Sequence, residues 1–251
     1  MSDFDRNYAA ARGAGLGRAV AVDAGLRAYM LRVYNYMAIG VALTGVAAWI
    51  MFQLVVTQVG SQLAFTPLGQ TLFQSGFYWV LALVPLGLVF FLSFRINTMA
   101  PATAQALFFF YAALLGVSLT PIFLVYTHAS IARVFFISAA SFGALSLYGY
   151  TTQRDLSPFG SFLIMGLIGI IIASLVNIFL ASSALQFVIS VVGVLVFAGL
   201  TAWDTQKIKE MYDVHDDGTV TGRKAIMGAL ALYLDFINLF LMLLRLFGDR
   251  R

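Results

Sequence analysis

The chain has 251 residues, of which 61% are hydrophobic and 10% charged; its formal net charge is +4 and it contains no cysteine. Soluble domains carry about 25% charged residues, so an ordinary water-soluble fold is excluded, and without cysteine so are disulfide frameworks, thiolate metal centres and cysteine nucleophiles. The modest positive excess calls for no nucleic-acid partner.

Charge is absent from long tracts: no Asp, Glu, Lys or Arg occurs between Val33 and Phe94, nor between Leu156 and Trp203. Apolar runs of about 20 residues match a hydrocarbon core about 30 Å thick, and these runs do not alternate polar with apolar residues as barrel strands must. The reading is an all-α polytopic membrane protein. Residues 1–27 form a flexible, polar, partly helical head. It has no apolar region of the signal-peptide kind, and Gly13, Gly15 and Gly17 follow no strand, so they make no nucleotide loop. Residues 28–248 form a single transmembrane bundle and 249–251 a short tail. The first span covers 33–56, and 57–76 is a long uncharged loop. The second covers 77–94, with Pro85 near its centre, and the third 104–126, where Pro121 introduces a kink. Spans four and five cover 131–150 and 159–180, and residues 181–184 are a tight turn. The sixth, 185–203, continues as helix into the polar DTQKIKEMY, and roughly 20 polar residues lead to the seventh, 225–244.

Basic residues orient the bundle. Arg6, Arg12, Arg18, Arg27 and Arg32 precede the first span, and Arg95, Arg154, Lys207, Lys209, Arg223 and Lys224 fall in loops on the same side. The opposite side holds His128 and Arg133 before the tail. The N-terminus is therefore inside, and the basic inner rim suits anionic lipids of the bilayer. Arg245, Arg250 and Arg251 run against this pattern if the last segment crosses the membrane, whereas a re-entrant last segment returns them to the inside. Charge alone leaves both topologies open.

One ionisable group interrupts the last run: Asp235, in AIMGALALYLDFINLFLMLL. A lone carboxylate at that depth costs several kcal/mol unless it is neutralised, paired or wetted, which makes it a candidate functional residue. Asp204 ends the sixth run on the neighbouring antiparallel helix. If the two meet, both cannot be ionised cheaply and they share a proton. Singly protonated, the pair joins two helices; doubly ionised, it repels or recruits a cation. Arg95, at the inner end of the second span, is positioned to clamp one aspartate, or to snorkel to headgroups. Asn238, one turn from Asp235, and Asn177, inside span five, are candidates to line a polar path.

Other signals are weaker. The loop DVHDDGTVTGRK fails as an EF-hand, since its third position is His215 and its twelfth Lys224. His128 and His215 fall on opposite faces, and no HExxH spacing exists. No enzyme is expected and no cofactor is implied.

The combination of AWDTQKIKEMY with ALALYLDFINLFLMLLRLFG resembles the C-terminal signature of the Bax inhibitor-1 family, also called the transmembrane Bax inhibitor motif family. YGYTTQRDLSPFGSFLIMGLIGIIIASLVNIF and SLTPIF followed by HASIARVFFISA are similar to that family too, so the resemblance runs from about Ala28 to Gly248. It implies a bacterial seven-helix bundle with the last helix central, in the cytoplasmic (inner) membrane. It also implies a pH-sensitive passive calcium leak, with calcium the transported species. Asp204 and Asp235 match the family's aspartate pair, the pH sensor and gate, with transient calcium binding there; Arg95 aligns with the arginine that bonds the pair. The chain departs from many bacterial members in ALVPLGLVF, which lacks a helix-two glutamate. Two other readings stand beside it: a proton-coupled small-solute transporter, and a non-conducting interaction protein that regulates stress or protease machinery through membrane-protein partners.

Overall fold

The computed structural model describes residues 3–59 and 62–251, with side chains from residue 24 onward except 59–62. Helix α1 spans Asp3–Val55, and its apolar, membrane-length part is Ala24–Val55. The flexible head expected over 1–27 therefore lies mostly outside the described side chains.

The segment expected as a long uncharged loop over 57–76 contains secondary structure on either side of residues 60–61. Strands β1 (Val56–Val59) and β2 (Gln62–Phe65) pair antiparallel with Val56 opposite Phe65. Short runs with β-branched and aromatic residues favour that pairing. Thr66 then caps α2 (Pro67–Phe73) by accepting from the Gly69 amide, with Pro67 at a first-turn position where its missing N–H costs nothing.

Helix α3 (Phe77–Arg95) carries Pro85 inside it and runs into a 3-10 turn, Ile96–Thr98. The third span is broken, not merely kinked: α4 (Pro101–Ser118) stops, and α5 (Ile122–Val125) restarts after Pro121. Proline lacks the N–H that would continue the ladder, and its ring clashes with the preceding turn. Helix α6 (His128–Thr151) is capped by Thr127, and α7 (Ser157–Leu180) follows. Helix α8 (Ser183–Glu210) continues past the apolar run, and α9 (Gly218–Phe247) starts at Asp217, whose carboxylate accepts from the Val220 amide. The link between them is thus 211–217, far shorter than the roughly 20 polar residues expected, because both polar flanks are helical.

Among the described residues, seven helices are long and apolar enough to cross a membrane. They differ in burial: 67% of the most apolar stretch of α9 is buried, against 11–39% for the other six. Helix α9 packs against α1, α4, α6 and α8, while α3 rests chiefly on α4 and α7 on α8. Large apolar side chains such as Phe90, Phe94, Phe162 and Phe179 point outward from α3 and α7. On a soluble protein such a surface would aggregate; in a bilayer it faces lipid.

Two close approaches fix the helix registers. A Cβ on Gly116 of α4 would lie 2.3 Å from the Thr44 carbonyl oxygen of α1. One on Gly149 of α6 would lie 2.1 Å from the Ala202 carbonyl oxygen of α8. Only glycine admits backbones this close. A polar knot ties α9 to the same neighbours. The Thr44 hydroxyl contacts the Ala112 carbonyl at 2.9 Å, the Gly40 carbonyl at 3.0 Å and the Tyr233 hydroxyl at 2.6 Å. Its single proton serves the carbonyls, so its oxygen accepts from Tyr233. The Tyr233 ring is fully buried, edge-on to Phe108 and Tyr111.

Candidate functional site

Residues two apart on a helix point about 200° from one another. With Tyr233 anchored toward α1 and α4, Asp235 is turned toward α8. Asp204 lies there, and the two carboxyl groups are within hydrogen-bonding reach of each other. Asp235 is only 5% exposed, and its Oδ2 is buried with no hydrogen-bond donor among the described residues. Its facing partner is another carboxyl group, which can bond it only if one of the two carries a proton. In that state the contact is a short, strong O–H to O⁻ hydrogen bond; with both ionised it becomes repulsive.

Asp204 is also a wall of a cavity of about 180 Å³ between α3, α8 and α9, together with Ser93, Lys207, Met211 and Leu234. The cavity lies on the side of the 211–217 link and reaches Asp204, while Asp235 is not among its walls. A space this size is ample for water, which needs only about 10–15 Å³ of probe-occupied volume. Asp204 thus stands between a wettable pocket and the buried carboxyl behind it.

The structure does not bring Arg95 to this pair. Its side chain is exposed and makes no ion pair among the described residues. The reason is rotational: Ser93 faces the cavity, and Arg95, about 200° further round α3, faces away. The cation beside Asp204 is Lys207, one turn along α8, with its Nζ 4.9 Å from the centre of the Trp203 ring. Asn238 spends its amide on its own helix, donating to the Leu234 carbonyl at 2.8 Å. Asn177 sits in the last turn of α7, not deep in the span. It accepts from the Ser182 amide at 3.0 Å and donates to Gln186 at 3.3 Å, closing the α7–α8 turn. There Ala181 takes a left-handed φ of 48°, which is costly for any residue with a Cβ.

Several polar residues next to Asp204 on α8, and their partners on neighbouring helices, gave no functional signal in the sequence. Thr205, next to Asp204, donates to the Thr201 carbonyl at 2.7 Å and so accepts from Ser146, which in turn accepts from Tyr34. That hydroxyl chain joins α1, α6 and α8, and its outer member lines a cavity of about 700 Å³ with Arg27 and Tyr150. Gln206 accepts from the Leu156 amide and donates to the Arg154 carbonyl, both at 2.8 Å, fastening the α6–α7 loop onto α8. Lys207 was legible as a residue one turn from Asp204; the hydroxyl chain was not, because serine and threonine are common in spans and only packing aligns them. Two loop carboxylates on this side are held below the usual range by hydrogen bonds. Asp155 accepts from Ser157, and Asp213 accepts from the backbone and ring of His215.

A family model described as "Inhibitor of apoptosis-promoting Bax1" matches residues 26–251. An uncharacterized protein of Rickettsia prowazekii is 52% identical over 229 residues, covering 91% of this chain and 92% of that protein. The inner membrane protein YbhL of Escherichia coli (strain K12) is 49% identical over 230 residues, covering 91% and 94%. A Caulobacter vibrioides protein is 45% identical over 260 residues and covers both chains fully.

Proposed function

The chain belongs to the Bax inhibitor-1 family, and from that premise we propose that it is a pH-sensitive passive calcium leak in which Asp204 and Asp235 share a proton as sensor and gate. One observation carries the reading: among the described residues, a buried carboxyl on the most buried helix faces another carboxyl and no hydrogen-bond donor, and that second carboxyl borders a wettable cavity. In the closed state the shared proton holds α8 against α9. Loss of the proton makes the pair repel, which separates the helices and leaves two carboxylates to attract a divalent cation. Calcium prefers six to eight oxygen ligands. Two aspartates, carbonyls and water meet that need transiently, as a leak requires. Helix α9 serves as the central element against which the others move, and Lys207, beside Asp204, sets the field at the inner mouth. The inner membrane, named for the Escherichia coli relative, is the compartment we adopt, with the N-terminus inside.

The test is calcium flux into proteoliposomes from about pH 5 to about pH 8, a range that brackets perturbed carboxyl groups. Native protein is compared with the Asp204→Asn, Asp235→Asn double variant. The expected result is a pH-dependent flux that the double variant loses or locks. Absence of flux above empty liposomes at every pH, with folded and inserted protein, would sink the channel reading and transfer weight to an interaction protein. Saturable exchange of another solute would identify a proton-coupled transporter.

A further inference from the structure

Two arginines of the C-terminal region line a different cavity from Asp204, and the arginines there run against the charge asymmetry that orients the bundle. Arg251 is engaged locally: it lies 2.8 Å from His128 Nδ1 and donates to the Tyr126 carbonyl at 3.4 Å. Arg133 pairs with Asp249. Arg245 and Arg250 instead border a cavity of about 430 Å³ between the α7–α8 turn and the last turn of α9, at the far end of α8 from Asp204.

The chemistry of that cavity is one-sided. Its polar walls include Asn177, Ser183, Gln186 and Ser190, and among the described residues no carboxylate side chain lines it. Neither arginine forms an ion pair among the described residues. Among the described residues, the Arg245 side chain makes one polar contact, a weak one at 3.9 Å to the sulfur of Met242. Gln186 accepts from Asn177, but its Nε2 is buried with no acceptor. Helix α8 begins here, 28 residues long, with no acidic residue in its first turn to meet its positive end. A basic residue in the last turn of α9 is ordinarily explained by the negative end of that helix. That accounts for Arg245 alone, and not for a cavity with two cationic forks, an unused amide donor and no acidic acceptor.

We propose that this cavity binds a phosphate-bearing anion, with Arg245 and Arg250 as the charged clamp and Gln186 as an additional donor. Guanidinium groups match phosphate oxygens two at a time, and the amides at the start of α8 add the anion preference of a helix N-terminus. The ligand is the phosphodiester of an anionic lipid headgroup or a free phosphate. The apolar walls Phe187 and Leu246 border the site, and Phe187 is 62% exposed on the lipid-facing surface. This inference is independent of the aspartate pair and of calcium conduction.

The test uses the full chain in detergent micelles, titrated with phosphatidylglycerol and, separately, with inorganic phosphate, while native mass spectrometry reads the bound mass. The Arg245→Gln, Arg250→Gln double variant should bind roughly tenfold or more weakly, the loss expected for charge-assisted hydrogen bonds. Gly143→Ala, where an added Cβ meets open space away from this cavity, should bind like native protein. Should the double variant fail to fold, Arg250→Gln alone alters an exposed tail residue and should weaken binding by roughly threefold. Phosphatidylglycerol that is retained against inorganic phosphate identifies a lipid site; inorganic phosphate that binds alone and is weakened by the same variants identifies a soluble anion. Equal affinity in native and arginine-substituted protein, or no binding of either probe, overturns the proposal.

Discussion

The knot between Thr44 and Tyr233 makes an asymmetric prediction about the helix that bears Asp235. Tyr233→Phe removes a hydroxyl and leaves Thr44 free to keep donating to the Ala112 or Gly40 carbonyl. Those carbonyls also keep their helical partners, so the expected cost is about 0.5–1.5 kcal/mol, the net worth of one hydrogen bond. Thr44→Val nearly preserves volume but strands the Tyr233 hydroxyl, on a fully buried side chain, without its acceptor. Leaving a buried polar group unsatisfied costs about 1–3 kcal/mol. The double variant removes both groups and should cost less than the sum of the two. A coupling of about 0.6 kcal/mol, and no more than about 1.7 kcal/mol, is expected, the average and the maximum for hydrogen bonds between membrane helices. Unfolding free energy in mixed micelles, measured for all four proteins of the cycle, supplies the numbers. If Tyr233→Phe costs as much as Thr44→Val, or the two add without coupling, then the 2.6 Å contact does not hold α9 as argued.

Four other expectations follow from the geometry. Gly149→Ala places a methyl against the Ala202 carbonyl and should destabilise the protein by about 1–3 kcal/mol by thermal unfolding, as overpacking does. Gly143→Ala, with open space around it, should be neutral or slightly stabilising in the same assay. Lys207→Gln removes the cation beside Asp204 and should move the calcium-flux transition to higher pH, whereas Arg95→Gln, which alters an exposed side chain, should leave the transition in place; the reverse ranking in proteoliposomes would refute the assignment of the local field. Because Asp155 and Asp213 are held below the usual carboxylate range, the stability they contribute is present above that range and lost only as pH falls through their depressed values. Asp155→Asn and Asp213→Asn should therefore leave the flux profile between about pH 5 and about pH 8 unchanged, and a shifted profile would place the sensor in the loops.

Much of this molecule is one-dimensional in origin. The absence of charge over 33–94 and 156–203 dictates a membrane solvent, and the apolar runs dictate helices, since the bilayer offers the backbone no other partner. Asp204 and Asp235 stand out because no other acid interrupts the late apolar runs. The extension of α8 into DTQKIKE was equally legible. The rest depends on rotation and register, which hydropathy does not encode when a helix is apolar all round. Whether Arg95 or Ser93 faces the cavity is settled by how α3 sits on α4. The direction of Asp235 follows from the anchoring of Tyr233, and the height of Asp204 from the contact of Gly149 with Ala202. The placement of Asn177 depends on where the α7–α8 turn closes, and the β1–β2 pairing after α1 involves strands too short to declare themselves. Composition thus determined the solvent, the number of long helices and the charges that do not belong there. Tertiary packing alone decided which of those charges meet, because helix rotation is fixed by close contacts between neighbours and not by any property of a single span.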